Sequence, residues 1–482
     1  MSAEESPLLG NQLKPNTGTQ YSTLPTKNVY DRFNREEKQV VLAIVSLSGL
    51  VPMFVSGCFV PLIPRISKDL NSTPATVSLS ISLAVFATSL SVMFWSAHSS
   101  FYGRRATYLC GMPFTIVGSF AVAASPNIGS LLFWRFVQTA GCSGGFVLGA
   151  ATIGDIYKVE ERGTAMGTFF GAALFGFAIA PPVGGALAQY WSWRGFQAAV
   201  GVWSILQMLL LAFFFPETAH PGSRGIDQVQ GPKKLFVWIN PFRCLAFLRS
   251  PNIMMVTLMH TFTLITDFTL LIPIAYTIGA KYGITNEGLI GALILPYGLG
   301  NFVGSPIAGY ISDKMVRRAK EKRNGVWVPE DRLRGVWIGG LVLVPISVVL
   351  SGFTAAYVDG MAGLIINLVC LFANGVGVDM VLTPIGAYTV DIMPSRGAEV
   401  MAAITAFRSL FIAPVSGLLI PSVETIGVAA TNSISGILVL FGYSLIWLTI
   451  RYGAQMRAYV DIGYPDFDAQ ALDDDTMHEA EY

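Results

Sequence analysis

Twelve stretches of roughly twenty mainly apolar residues follow one another along this chain, near 39–64, 76–97, 106–125, 128–153, 164–189, 194–216, 252–279, 286–312, 335–355, 360–386, 398–422 and 427–450. About 20 such residues cross a bilayer as a helix, and a helix satisfies its own backbone there. Twelve of them in 482 residues leave little chain for anything else. Composition agrees: 13% of residues are charged and 52% hydrophobic, against about 25% charged in a globular protein. Too few polar side chains remain to cover a soluble surface. The predicted class is all-α integral membrane, with twelve transmembrane helices. The first stretch is not expected to be a cleaved signal, because a polar stretch of almost forty residues precedes it. Cys58, Cys110, Cys142, Cys244 and Cys370 have neither metal nor disulfide spacing, and read as packing residues.

Positive charge sets the orientation. With the N-terminus cytoplasmic and the spans alternating, cytoplasmic segments hold 25 of the 31 Lys and Arg, and outer loops hold four: Arg65, Lys68, Arg194 and Lys281. Both termini are therefore expected in the cytoplasm, with the protein in the plasma membrane. The stretch "EESPLLG" (4–10) fits an acidic dileucine pattern through Glu4, Leu8 and Leu9, which makes the vacuolar membrane the alternative. The acidic end "DDDTMHEAEY" (473–482) reads as a solvated tail.

The chain also divides in two. A tail (1–38) precedes a six-span bundle (39–216), a linker (217–250) leads to a second bundle (251–452), and a second tail (453–482) follows. "GDIYKVEERG" after span 4 and "VDIMPSRG" after span 10 share Asp-Ile, a polar turn and Arg-Gly; each is followed by Ala-Pro-x-x-Gly, at Ala180 and Ala413. "SAHSSFYGRR" (96–105) after span 2 is echoed by "GYISDKMVRR" (309–318) after span 8. Doubled six-span repeats with a long central connection are a plan of secondary transporters, which bind substrate near the bilayer midplane.

Within span 5, "MGTFFGAALFGFAIAPPVGG" (166–185) carries no charge, five glycines and two prolines. Ala172, Gly176, Ala180 and Gly184 recur every four residues, a small-residue stripe that lets membrane helices meet backbone to backbone. Pro181 and Pro182 remove donors and bend the helix. The expected product is a close-packed, bent seal between the two bundles.

Charges inside spans are the leading site candidates: Arg135, Asp267, Asp379 and Arg408, with His260 two turns before Asp267 on the same face. Two acids and two bases can form two structural ion pairs. Alternatively, Asp267 or Asp379 carries a proton while an arginine, which keeps its charge, holds a substrate carboxylate. Tyr276, Tyr297, Asn301, Asn374 and Tyr388 are candidate hydrogen-bonding or aromatic walls. No His, Cys and acid cluster has metal spacing and no nucleophile motif stands out, so neither an enzyme, a cofactor nor a nucleic-acid partner is expected.

The chain resembles the major facilitator superfamily, and within it the fungal twelve-span drug:proton antiporters, over about residues 39–452. "RFVQTAGCSGG" (135–145) resembles the span 4 motif whose arginine, here Arg135, is linked to proton coupling. "WRGFQ" (193–197) and "PET" (216–218) also fit. The span 5 stretch resembles the antiporter motif through Gly167, Gly176, Ala180, Pro181, Gly184 and Gly185, with alanine replacing one glycine, and implies export. In "GYISDKMVRR" the resemblance implies that Asp313, with Arg317 and Arg318, locks the cytoplasmic side through neighbouring helix ends. In the first half Ser96, Ser100 and Phe101 replace the expected Gly, Asp and basic residue, so Arg104 and Arg105 lack a nearby carboxylate, unless Asp155 substitutes. The expected function is a monomeric, proton-coupled exporter of a small metabolite or drug working by alternating access. Two arginines and a histidine favour a weak organic acid; a nutrient importer and a polyamine or cationic-drug exporter are the rivals.

Overall fold

The computed structural model describes residues 29–59, 62–190, 192–220, 222, 224–228, 239–275, 277–284, 286–393 and 396–460. The dileucine stretch, the acidic tail and Tyr276 lie outside them.

Among the described residues, twelve helices are long and apolar enough to cross a membrane. They are α1 (Arg35–Gly57), α2 (Leu79–Tyr102), α3 (Arg104–Ala123), α4 (Ile128–Ile156), α5 (Val159–Gly184) and α6 (Trp193–Phe214). The second half supplies α7 (Pro251–Lys281), α8 (Gly288–Lys322), α9 (Pro329–Tyr357), α10 (Gly360–Ile392), α11 (Gly397–Leu419) and α12 (Val428–Tyr459). Their ends follow local chemistry. The Asn34 N–H donates to Glu37 Oε2 at 2.8 Å before α1, and the Ser130 N–H to Asn127 Oδ1 at 2.9 Å before α4, satisfying donors that a helix start leaves unpaired. Gly103, at φ +100°, turns the chain from α2 into α3, where a Cβ would run into Glu217.

α1–α6 and α7–α12 form two bundles that meet along two seams, α5 with α8 and α2 with α11. The face carrying the start of α1, the end of α12 and the link between bundles is called here the terminal face, and the other the distal face. Part of the linker is folded: Pro241–Arg249 forms a short 3-10 helix with Cys244 and Phe247 buried, packed on both α2 and α11.

α5 is the wedge of the molecule, and it uses two rows of small residues. A Cβ on Gly167 would stand 3.5 Å from Gly309 Cα, and one on Gly171 2.9 Å from Ser305 Cβ, so this row meets α8 across the bundle boundary. The expected stripe does something else. A Cβ on Gly176 would lie 2.6 Å from Leu50 Cγ and one on Gly184 2.9 Å from Cys58 O, while Ala180 is buried with Val51, Val55 and Cys58. That stripe packs α5 onto α1 in its own bundle and is not the seal between bundles. The reason is geometric: neighbouring residues on a helix point about 100° apart, so rows ending at 171 and starting at 172 face different partners. Ala172 is half-buried, and the surroundings of Gly185 are not described. Near the distal face, a Cβ on Gly291 of α8 would lie 2.9 Å from the Pro181 carbonyl. The proline bend thus does touch the opposite bundle.

The two rows predict different failures. Gly176→Leu overfills the interior of one bundle, a change costing about 1–3 kcal/mol or more, and should lower the unfolding temperature in detergent. Gly167→Leu should leave that temperature nearly unchanged but hold the terminal face apart, exposing a cysteine placed at Ser409 in a cysteine-free background to a water-soluble maleimide. Equal unfolding temperatures for Gly176→Leu and wild type would contradict the α1–α5 contact.

Candidate functional site: a cavity between two bundles

A cavity of about 140 Å³ lies between the bundles. Its walls are mostly apolar: Met53 of α1, Phe146 of α4, Leu174 and Pro181 of α5, Phe268 of α7 and Ile412 of α11. Its few polar groups include Ser56, Thr88, Asp267, Tyr297, Arg408 and Ser409. Many lining residues come from the distal halves of their helices, as Ser56, Ile81, Pro181, Ile272 and Ile294 show.

Arg408 is the charge to explain. Its Nη1 lies 2.8 Å from His260 Nε2. A guanidinium only donates, so Nε2 accepts and Nδ1 carries the imidazole proton; Nδ1 has no partner among the described residues. The guanidinium also sits 5.9 Å from the Phe146 ring centroid. Among the described residues no acid forms an ion pair with it. The two structural ion pairs open to Arg135, Arg408, Asp267 and Asp379 are absent: Asp267 Oδ1 and both Asp379 oxygens find no hydrogen-bond partner among the described residues.

The other candidates divide by depth and facing. Tyr297 stands beside Asp267 in the cavity wall. Asn301, one turn on from Tyr297, is fully buried, and together with Asp379 it lies behind the wall. Asn374 turns to α9, with Nδ2 3.4 Å from Ser347 Oγ. Tyr388 is corrected outright. It lies nine residues past Asp379, about 13 Å at the helical rise, where it accepts from Asn252 at 3.0 Å and donates to Glu330 at 3.4 Å. It ties the second bundle together near the terminal face and does not line this cavity.

Arg135 is also outside the cavity wall. Its Nη2 donates to the Val55 carbonyl at 2.6 Å and Nη1 to Gln138 at 2.7 Å, with the Phe59 ring 4.1 Å away. Val55 belongs to the last turn of α1, whose carbonyls lack helical partners and carry the negative pole of the helix. A helix end compensates this cation, in place of the ion pair with an acid that was one of the two open readings. Arg135 thereby braces the segment of α1 that presents Met53 and Ser56 to the cavity.

At the terminal face, a buried charge network crosses from one bundle to the other. Arg332 donates to Asp313 at 2.9 Å and to Asp391 at 2.7 Å. Asp313 also accepts from the Gly163 N–H at 3.0 Å and the Thr164 N–H at 2.8 Å, at the start of α5. Arg162 of α5 pairs with Asp391 of α10. Asp313 does bridge to a neighbouring helix end, but its arginine is Arg332; Arg317 and Arg318 are exposed. The first half repeats the plan inside its own bundle. Arg104 donates to Asp155 at 2.9 Å and to Ser99 at 2.8 Å, while Glu217 accepts from the Arg104 and Arg105 N–H groups at 2.9 and 3.2 Å. The carboxylate missing at position 100 is supplied from α4, and Arg105 reaches the Ala212 carbonyl at 2.6 Å. Sequence reasoning missed Arg162, Arg332 and Asp391 as partners. The signal was there, because the repeated Asp-Ile and Arg-Gly hold Asp155, Arg162 and Asp391.

Removing one member of such a network strands the others and costs about 3–5 kcal/mol. Arg332→Gln or Asp391→Asn should open the terminal face and raise labelling, from that side, of a cysteine placed at Ser409 in a cysteine-free background. Unchanged labelling would mean that the network does not hold the face shut.

Residues 45–416 match the Major Facilitator Superfamily. Efflux pump radE of Floropilus chiversii is 25% identical over 440 residues, covering 87% of this chain and 80% of that one. Citrate exporter 1 of Aspergillus niger is 28% identical over 329 residues, covering 62% of each. The structure of the human organic anion transporter MFSD10 (TETRAN) superposes with TM-score 0.64 at 15% identity, covering 85% of this chain and 99% of that one. With the family match spanning most of the chain and twelve spans in two bundles, the chain belongs to the Major Facilitator Superfamily and is a membrane transporter.

Proposed function

We propose that this protein exports small organic anions bearing an apolar body, by proton-coupled alternating access. The observation that carries the reading is Arg408: a buried cation at the wall of an apolar cavity, bonded to a neutral imidazole and paired with no acid among the described residues. A carboxylate entering the cavity completes it through two parallel hydrogen bonds, the geometry guanidinium favours. Phe146, Phe268 and Leu174 then cover the apolar remainder. A polyamine would bring positive charge against Arg408 with only Asp267 facing the cavity to receive it.

Export is supported by the kinship with radE and Citrate exporter 1, whose names describe efflux and citrate export, and by the small-residue and proline motif of α5. The terminal face is cytoplasmic on this reading, because the Lys and Arg excess lies there, and the protein acts as a monomer in the plasma membrane. The cavity then lies in the outer half of the protein while the charge network closes the cytoplasmic side. Asp267 and Asp379 carry the proton, since a carboxyl in an apolar interior alternates between charged and neutral forms where an arginine does not.

Phenylacetate and phenylacetamide, alike in shape and different in charge, test the anion. Arg408→Lys, which replaces a two-pronged donor by a point charge, should reduce efflux of the acid from loaded vesicles by about tenfold, for one lost hydrogen bond of roughly 1.4 kcal/mol. Arg408→Gln should abolish it while leaving amide movement at its wild-type level. Equal losses for acid and amide would make Arg408 structural.

A further inference from the structure

We propose that the anion and the proton bind this cavity together, so that each cycle exports an anion with a proton and does not exchange one for the other. The inference rests on the anion reading of the same cavity and adds the sign of its coupling.

Charge in the cavity comes from few groups. Arg408 reaches it from α11 and Asp267 from α7. Each feels the other electrostatically, without an ion pair forming between them. The remaining titratable groups facing Asp267 are Tyr297 from α8, Asp379 behind it on α10, and His260, one of the groups around Arg408. The first bundle contributes Met53, Ser56, Thr88, Phe146, Leu174 and Pro181 among others, none titratable. Charge balance is thus set by one fixed cation and one wall carboxylate, with a second carboxylate behind.

With the cavity empty, ionised Asp267 is the nearest counter-charge Arg408 has. A ligand carboxylate that docks on Arg408 takes that place and leaves two anions facing one cation in surroundings that screen poorly. A proton on Asp267 relieves this. Linkage is reciprocal, so a protonated Asp267 must also tighten the anion. The proton is drawn from the solution on the loading side and held on the Asp267 carboxyl; both species leave on the other side, and no other bond changes. His260 serves as a positioning residue. Its neutral Nε2 holds one arm of the guanidinium at 2.8 Å and keeps the rest aimed into the cavity. A cationic ligand would produce the opposite sign, because it would compete with the proton for Asp267.

Purified full-length protein in weakly buffered detergent decides between them, with phenylacetate as the probe. Binding should take up as much as one proton per anion, and affinity should tighten severalfold between pH 8 and pH 5.5. Asp267→Asn, a permanently neutral side chain, should bind at pH 8 as tightly as wild type does at pH 5.5, without proton uptake. Asp267→Glu should restore the uptake, which separates lost titration from lost folding. Proton release on binding, affinity that weakens as pH falls, or uptake that survives in Asp267→Asn and disappears in Asp379→Asn would each overturn the proposal. Failure of wild type to bind phenylacetate at either pH overturns the anion reading, and this inference with it. In vesicles, an acid exterior should slow export of the anion; acceleration would restore exchange.

Discussion

A charged group inside this protein has no bulk water around it, and the way each is compensated decides which parts are rigid and which are receptive. Arg332 meets two carboxylates, Asp313 and Asp391, on two helices. Arg135 meets the open carbonyl of Val55 at the end of α1. Arg408 meets the lone pair of His260 and the ring of Phe146, with no ion-paired acid among the described residues. The first arrangement fastens, the second braces, and the third leaves a cation facing a cavity without an ion-paired partner. Desolvation gives the order its meaning, because a buried cation without an anion is the state a bilayer protein avoids unless a ligand completes it.

Movement follows from how the fastening is distributed. The network around Arg332 joins α5 to α8, α9 and α10, whereas its first-half counterpart, Arg104 with Asp155, stays within one bundle. One side of the pseudo-symmetric fold therefore holds the bundles together and the other only stiffens its own. α5 passes between them with one glycine row on α8, a second row on α1, and a proline bend against Gly291 near the distal face. A helix without large side chains at these contacts can slide, and a pair of interior prolines lets its ends move separately.

Much of this was legible in the residues. The twelve spans, the two halves and the few charges within spans all follow from hydropathy and repetition, since a bilayer imposes one length and one class of side chain. Arg408 and Asp267 stood out for the same reason. The partners of Asp313 and Asp391 did not, because Arg162 and Arg332 look like any of the positive loop charges that set orientation. Span 5 advertised its small residues, but adjacent i+4 rows on one helix are indistinguishable until the neighbours are known. The Val55 carbonyl that meets Arg135 was not legible, because a backbone acceptor leaves no mark in a sequence. Tyr388 and Asn374 were misplaced because position along a span fixes depth and says nothing of facing.

Arg408, on the proposed function, is an anion site awaiting its ligand, and a structure of the protein with bound phenylacetate tests this most directly. The account predicts the carboxylate within about 2.7–2.9 Å of the guanidinium nitrogens, the usual charge-assisted distance, with the phenyl ring against Phe146 and Phe268. A ligand seated elsewhere in the cavity, with Arg408 still bonded only to His260, would contradict it.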